Sequence, residues 1–157
     1  MKQAPEHQTI QANMLPGKFS ADGFLGEDNR NLDDILLEDQ KAVDRLGVSH
    51  TWIADRMYTL TEHGKSGLGR PMTVDGAYEV VVEEYMGRIP CPFRDNRGND
   101  KRITTVTRLS DGKVMQWTDL GIHMIDQHGF YEGKGSSYRH EPSELADFLS
   151  QVKTLAI

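Results

Sequence analysis

The spacing of apolar residues predicts two consecutive helices in the first half of the chain. Residues 31–46 carry apolar side chains every three or four positions, and Asn31 is suited to cap the first turn. Gly47 follows as a helix-ending glycine, and Ser49 can cap a second helix that ends at Gly64. Because so few residues join the two segments, we expect a tight helical hairpin.

Beyond this pair, apolar and polar residues alternate over short segments, as they do in half-buried strands. Two Asp-Gly pairs, which favour two-residue hairpin turns, lie between the segments. The predicted strands are 72–74, 77–85, 102–109 and 113–118. This pattern predicts a twisted antiparallel sheet of about four strands.

Two further helices are predicted after the sheet. The first is a short helix over 119–128, capped by Asp119 and ended by Gly129, and the second is a C-terminal helix that opens at Pro142. Helices that flank a run of antiparallel strands indicate an α+β fold. We therefore expect a single α+β domain over residues 19–157.

Residues 1–18 show no clear periodicity and are interpreted as a mobile N-terminal arm, with Met14 as an alternative start of translation. An arm of this kind and the apolar run 80–82 offer contacts to a second copy of the chain. Because twofold dimers are the commonest oligomers of soluble proteins, we expect a homodimer.

Composition and charge exclude several classes of protein. The chain of 157 residues is 37% hydrophobic and 27% charged, which is typical of a soluble globular domain. No apolar run approaches the roughly 18 residues of a membrane span, and the N-terminus lacks the pattern of a signal peptide. Cys91 is the single cysteine, so no intrachain disulfide can form, and we expect a cytoplasmic protein. The net charge of −6 makes nucleic-acid binding unfavourable.

The helical hairpin has a partial similarity to a helix-turn-helix motif. The segment AVDRLGVSHTWIADRMYTL places a small residue, a Leu-Gly-Val-Ser turn and Ile53 at suitable positions, although Arg56 falls where an apolar residue is usual. Residues 31–64 carry three cations against seven acidic residues, a net charge of −4. Since phosphate contacts dominate DNA affinity, a helix-turn-helix regulator is the weakest of the functional hypotheses.

The predicted helix 119–128 carries the first candidate site. At about 100° per residue, Asp119, His123 and Asp126 share one face, where the carboxylates could orient His123 as a general base or begin a metal site. His128 is about 140° away on the apolar side and is interpreted as a core histidine. The two histidines are therefore not expected to bind one ion, and no metal site is predicted.

The second candidate is GFYEGKGSSYR, which follows that helix. Its glycines would let the backbone approach a ligand, and its cations would hold an anion. The spacing of glycine and lysine does not match a P-loop. The alternative is a packed connection whose aromatic residues fill the space between helix and sheet. The candidate ligand-binding residues are Tyr131, Lys134, Arg139, His140 and, from an earlier loop, Arg94.

Cys91 is the third candidate, because it lies between two prolines in a cationic segment. Residues 88–113 carry seven cations and three acidic residues, a net charge of +4. Such surroundings can lower the pKa of a thiol and create a nucleophile, but a buried inert thiol is the alternative. We expect Cys91 and the segment 119–140 to face one pocket.

The leading hypothesis is a binding protein for a small anionic ligand, without an identified cofactor. The first alternative is a hydrolase-like enzyme that uses Cys91 or His123, with Asp119 or Asp126 orienting the histidine.

Four segments resemble a family of short bacterial cytoplasmic proteins to which no activity is attached. They are GFLGEDNRNLDDILLEDQ, LGVSHTWIADRM, IPCPF and DLGIHMIDQHGFYEGKGSSYR. The similarity covers roughly residues 24–149. It implies a stand-alone bacterial protein and supplies neither substrate nor catalytic residues.

Overall fold

Helices pack against one antiparallel sheet, so the predicted α+β architecture is confirmed. The computed structural model describes residues 3–95 and 98–156. Its elements in chain order are helices α1 (Pro5–Asn13), α2 (Leu32–Leu46) and α3 (His50–Lys65), strands β1 (Met72–Val74), β2 (Tyr78–Ile89), β3 (Asn99–Arg108) and β4 (Val114–Thr118), then helices α4 (Asp119–His128) and α5 (Pro142–Phe148) and a 3-10 turn (Leu149–Gln151). Among these described residues, no helix is both long enough and apolar enough to cross a membrane.

The helical hairpin forms where its capping residues predicted it. The side chain of Asn31 accepts a hydrogen bond from the backbone N–H of Asp34 at 2.9 Å, and Ser49 caps α3 through Trp52 N–H at 3.0 Å. Gly47 ends α2 in the left-handed conformation, with φ of 71°. These contacts satisfy backbone groups that a helix end leaves unpaired.

The sheet is a meander in which β1, β2, β3 and β4 are neighbours in chain order. Strands β2 and β3 continue through part of 86–100, which the sequence predicted to be a loop, and a bulge between Tyr85 and Arg88 interrupts their pairing. The far half of β2 is largely exposed, so its alternation of apolar and polar residues disappears. The extended hairpin brings the Cys91 loop to the end of the sheet.

The core divides into two clusters. The larger lies between α3, the sheet and the C-terminal elements, and its largest side chains are Trp117 and Tyr78. The smaller contains Cys91 together with Leu120, Met124 and Phe130. Cys91 is therefore fully enclosed by apolar neighbours on one side of the candidate site.

Residues 5–13, within the segment 1–18 that we interpreted as a mobile arm, form a helix. Helix α1 buries none of its own side chains, which explains the missing apolar pattern. Polar contacts help to hold it: the side-chain oxygen of Gln11 accepts a hydrogen bond from Leu32 N–H at 2.9 Å, and the partly buried Ile10 packs against the smaller core cluster. Met14, directly after the helix, is fully buried. Met1 and Lys2 lie outside the described residues.

Thr118, rather than Asp119, caps helix α4. Its hydroxyl accepts a hydrogen bond from the backbone N–H of Gly121 at 2.9 Å, and Gly129 ends the helix with φ of 63°. The predicted bounds of the helix are confirmed, but the predicted cap is wrong by one residue. Asp119 is thereby released to pair with Arg102 on β3.

Candidate metal centre

A tight turn after β2 presents Cys91 and Asp95. The backbone N–H of Arg94 donates to the carbonyl of Cys91 at 2.8 Å, and Arg94 itself has a φ of 59°, which is uncommon for a residue with a side chain. From the other side, the side-chain amide of Asn13 donates to the carbonyl of Pro92 at 3.1 Å. The turn is therefore held by its own backbone and by the end of α1.

Helix α4 presents two imidazoles to the carboxylate of Asp95. The Nε2 atom of His123 lies 3.0 and 3.1 Å from the two carboxylate oxygens, and Nε2 of His128 contacts Oδ2. Since an ionised carboxylate can only accept hydrogen bonds, both rings donate from Nε2. The same two nitrogen atoms become lone-pair donors when an ion replaces the protons.

Cys91 completes a group of four ligand atoms. Its sulfur, one oxygen of Asp95 and one ring nitrogen each of His123 and His128 all lie within 4.8 Å of one another. Phe93 stacks on the ring of His128, with centroids 3.9 Å apart and planes inclined by 6°. The stacking fixes the orientation of one ligand, as supporting residues around metal sites do.

Burial controls the protonation of this group. It raises the pKa of the Cys91 thiol to about 12, and it lowers the pKa of His128 so that its neutral form is favoured. Burial alone would also raise the pKa of Asp95, but hydrogen bonds from His123, Cys91 and His128 outweigh it and hold that pKa below its usual value. Without a bound cation, Cys91 is a protonated thiol at neutral pH and therefore a poor nucleophile.

The structure places His128 differently from the sequence prediction. Its side chain is 18% exposed and faces Asp95, whereas we predicted a core histidine remote from His123. The angular separation on the helix gives the directions of the two Cα–Cβ bonds. Each imidazole nevertheless extends far enough from its Cβ atom to reach the same carboxylate. The centroids of the two rings are 5.6 Å apart.

Asp119 and Asp126 do not orient His123, although they share its helix. Asp119 accepts a hydrogen bond from Arg102 at 2.7 Å, and Asp126 accepts one from the hydroxyl of Thr51 at 3.2 Å. Asp95 takes the place that was predicted for these carboxylates. The structure brings Cys91 and His123 into one cluster. That Cys91 and the segment 119–140 face a single pocket stays a prediction.

The residues predicted to hold an anion are dispersed. Arg139 is buried and donates two hydrogen bonds to the carboxylate of Asp39, at 2.6 and 2.9 Å. The hydroxyl of Tyr131 bonds to His50 at 2.8 Å. Nε2 of His140 donates to a backbone carbonyl at 2.7 Å, and Lys134 and Arg94 are exposed on separate loops.

Gly133 and Gly135 allow close packing between two loops. Gly133 N–H donates to the carbonyl of Phe24 at 2.8 Å, and Glu27 N–H donates to the carbonyl of Lys134 at 3.0 Å. A Cβ atom on Gly133 would lie 2.1 Å from the carbonyl oxygen of Leu25. The close backbone approach that we predicted is made to the loop 24–28.

An open cavity of about 360 Å³ lies beside His123. It is strongly acidic, and burial raises the pKa of both Asp55 and Asp119 in its wall. The titratable side chains around it, besides His123, are Asp55, Tyr58, Glu62, Asp119 and Asp126. One ligand of the candidate metal centre is thus accessible from a space that can admit a small molecule.

Sequence reasoning missed Asp95 as a member of the site. The spacing Cys-x3-Asp in a turn and His-x4-His on a helix was the available signal, and neither is a specific motif. Comparisons with models of protein families, with curated proteins and with solved structures found no match to this chain.

Proposed function

We propose that this protein binds a divalent transition-metal ion, and Zn²⁺ in particular, through Cys91, Asp95, His123 and His128. The observation that carries the proposal is the convergence of four suitable ligand atoms within 4.8 Å from two separate elements. Cys91 and Asp95 come from the turn of the β2–β3 hairpin and the two histidines come from α4, so an ion would add a second link between these elements to the ion pair of Arg102 with Asp119.

The chemistry of the four ligands favours zinc. Zn²⁺ accepts thiolate, imidazole and carboxylate ligands in tetrahedral geometry, whereas Ca²⁺ and Mg²⁺ require oxygen. Ligand distances of about 2.0–2.3 Å place tetrahedral ligand atoms roughly 3.3–3.8 Å apart. To reach that geometry, the widest pairs of the group must close by up to about 1.5 Å, and the hydrogen-bonded nitrogen and oxygen atoms must move slightly apart.

A purely hydrogen-bonded cluster is the competing interpretation. It would leave a fully buried thiol and two imidazoles around a single carboxylate. The side chain of Asp95 is 29% exposed, so an ion has a route to the ligands from solvent. A cation also changes the chemistry of Cys91, because coordination removes the proton from a thiol.

A metal-dependent hydrolase is the second candidate function. The cavity beside His123 favours it, because a catalytic zinc needs space for water and substrate next to its ligands. In this alternative one of the four ligands would give way to a water molecule that the ion would activate, and Cys91 would be a ligand rather than a nucleophile. The earlier hypothesis of a small anionic ligand stays a prediction, as do the homodimer and the weakness of nucleic-acid binding.

Reconstitution with Co²⁺ tests the proposal directly. One equivalent of Co²⁺ should give the intense visible bands of a tetrahedral site and a near-ultraviolet band from thiolate-to-metal charge transfer. Cys91→Ser should abolish the charge-transfer band, and His128→Ala should reduce the visible bands. His63→Ala, an exposed histidine on α3, is the matched control and should match the wild type. Weak octahedral Co²⁺ absorption that Cys91→Ser leaves unchanged would refute the proposal.

A further inference from the structure

A second cavity, of about 340 Å³, lies between the far half of the β2–β3 hairpin and the loops 20–26 and 132–138. Its volume falls within the range of small-molecule sites. Apolar and aromatic side chains form much of its wall: Phe24, Tyr85, Ile89, Ile103, Leu120 and Tyr138. None of the four candidate metal ligands lines it.

Glu132 is a buried polar residue in the lining of this cavity. The residue is 5% exposed, and one carboxylate oxygen, Oε1, accepts a hydrogen bond from the hydroxyl of Ser136 at 2.5 Å. Across residues 3–95 and 98–156, no side chain or backbone group donates to the other oxygen, Oε2. Burial raises the pKa of Glu132 to about 7, and the hydrogen bond from Ser136 and the charge of Arg139 offset that effect only in part.

The backbone holds Glu132 in an uncommon conformation. Its φ is 70°, a region that residues with side chains seldom occupy. The guanidinium of Arg139 donates to the carbonyl of Glu132 at 3.0 Å, and the next residue, Gly133, packs against the loop 24–28. Strain of this kind persists only where surrounding contacts enforce it, and it occurs preferentially at functional sites.

Among the described residues, no cation forms an ion pair with this carboxylate, and Arg139, whose charge acts on it, donates to the side chains of Asp39 and Glu141. Arg102 is in ion pairs with Glu84, Asp100 and Asp119. Lys101 is exposed, at the solvent side of β3. A ligand that brings its own hydrogen-bond donor and positive charge would therefore complement Glu132, whereas an anionic group would be repelled by it.

We propose that this cavity binds a small amine with an aromatic or aliphatic body, whose ammonium group donates to Glu132 Oε2. The apolar wall receives the body of the ligand, and the carboxylate selects the ammonium group. Ser136 keeps the carboxylate in place by its bond to Oε1. This inference does not depend on the metal centre, because the two sites share no residue.

Three probes with the same phenyl body and different head groups test the selectivity. 2-Phenylethylamine, 2-phenylethanol and phenylacetate are each titrated to ~10 mM, the range expected for fragments of about ten non-hydrogen atoms, while amide resonances are followed by NMR. We expect the amine to bind at least about tenfold more tightly than the alcohol, the difference that a charge-assisted bond supplies. Phenylacetate should be the weakest ligand. Shifts should be confined to residues around the cavity.

Two variants and one control link the binding to the cavity. Glu132→Gln keeps the shape and removes the charge, so it should weaken the amine about tenfold or more and leave the alcohol unchanged. Ser137→Phe, at an exposed position in the lining, should weaken every probe by filling the space. Glu144→Gln, an exposed carboxylate on α5, should behave as wild type. The inference is overturned if the carboxylate binds best, if Glu132→Gln binds the amine unchanged, or if no probe shifts a cavity resonance.

Discussion

The imidazoles of His123 and His128 meet at one carboxylate although the two residues are five positions apart on helix α4. Their ring centroids are 5.6 Å apart, and both bring Nε2 to Asp95. The carboxylate comes from a turn that the N-terminal helix supports through Asn13. The site therefore depends on three segments that are distant in the chain: α1, the turn after β2, and α4.

Removing either histidine should abolish high-affinity metal binding but affect folding unequally. Loss of one of four ligands should weaken Zn²⁺ by roughly 100-fold or more. Without metal, His128→Ala should lower the free energy of unfolding by about 1–3 kcal/mol, because it removes the ring that stacks on Phe93. His123→Ala should have a smaller effect, because the ring of His123 meets that of His128 edge-on, whereas His128 stacks with parallel planes on Phe93.

Competition with a chromophoric chelator measures the affinity, and urea unfolding in the presence of excess chelator measures the stability. His63→Ala serves as the control in both assays. Wild-type Zn²⁺ affinity in His128→Ala would show that the helix contributes only one ligand.

Arg139 should prove to be a structural residue. The side chains of Arg139 and Asp39 are 6% and 4% exposed, and Arg139→Met would leave the carboxylate of Asp39 buried without its partner. We expect a loss of about 3–5 kcal/mol of stability, most of which the double variant Arg139→Met/Asp39→Leu recovers. Chemical denaturation of the two variants provides the measurement.

Lys41→Met is the matched control for Arg139→Met. Lys41 and Glu38 form an exposed ion pair at 3.7 Å, and its removal should change the stability by less than about 1 kcal/mol. If Arg139→Met changed the stability as little as this control does, the guanidinium would not be needed for the fold. It could then bind the anionic ligand that the sequence suggested.

Capping residues and periodicity made the central helices predictable from sequence. Asn31 and Ser49 cap α2 and α3 as expected, because their side chains act on backbone groups only three residues away. Helix α1 could not be predicted in this way. It buries no side chain of its own and is held by polar contacts to residues such as Leu32, about twenty positions along the chain.

The candidate site was predictable only in part. Cys91 and His123 were recognised as candidates because cysteine and histidine are uncommon and chemically reactive residue types. Asp95 was missed, since an aspartate in a polar loop carries no local signal and acquires its role through contact with α4. His128 was misplaced because a helical projection gives the direction of Cβ and neglects the reach of an imidazole.

Gly133→Ala should destabilise the fold strongly through a single added methyl group. That methyl would lie 2.1 Å from the carbonyl oxygen of Leu25, where both partners are backbone held by hydrogen bonds. We expect a loss of about 3 kcal/mol or more, at the upper end of overpacking effects. Gly112→Ala is the comparison, because open space surrounds Gly112 and only its positive φ opposes a side chain, at about 1–2 kcal/mol. Equal melting temperatures for the two variants would contradict the tight packing of the loops 24–28 and 132–136.

The free energy of unfolding should fall as the pH rises, and the substitution Glu132→Gln should remove this contribution to the pH dependence. The pKa of Glu132 is raised from 4.5 to about 7 by burial, so the folded state holds a proton that the unfolded state releases. The stabilising contribution is complete below about pH 4.5 and is lost as the pH rises through about 7. A difference of this size corresponds to about 3 kcal/mol.

Urea unfolding of wild type and Glu132→Gln from about pH 5 to about pH 8 should therefore show the variant gaining relative stability with pH. Glu144→Gln controls for the loss of a carboxylate at an exposed position. A constant difference between wild type and Glu132→Gln over this range would mean that Glu132 ionises with the same pKa in the folded and unfolded chains.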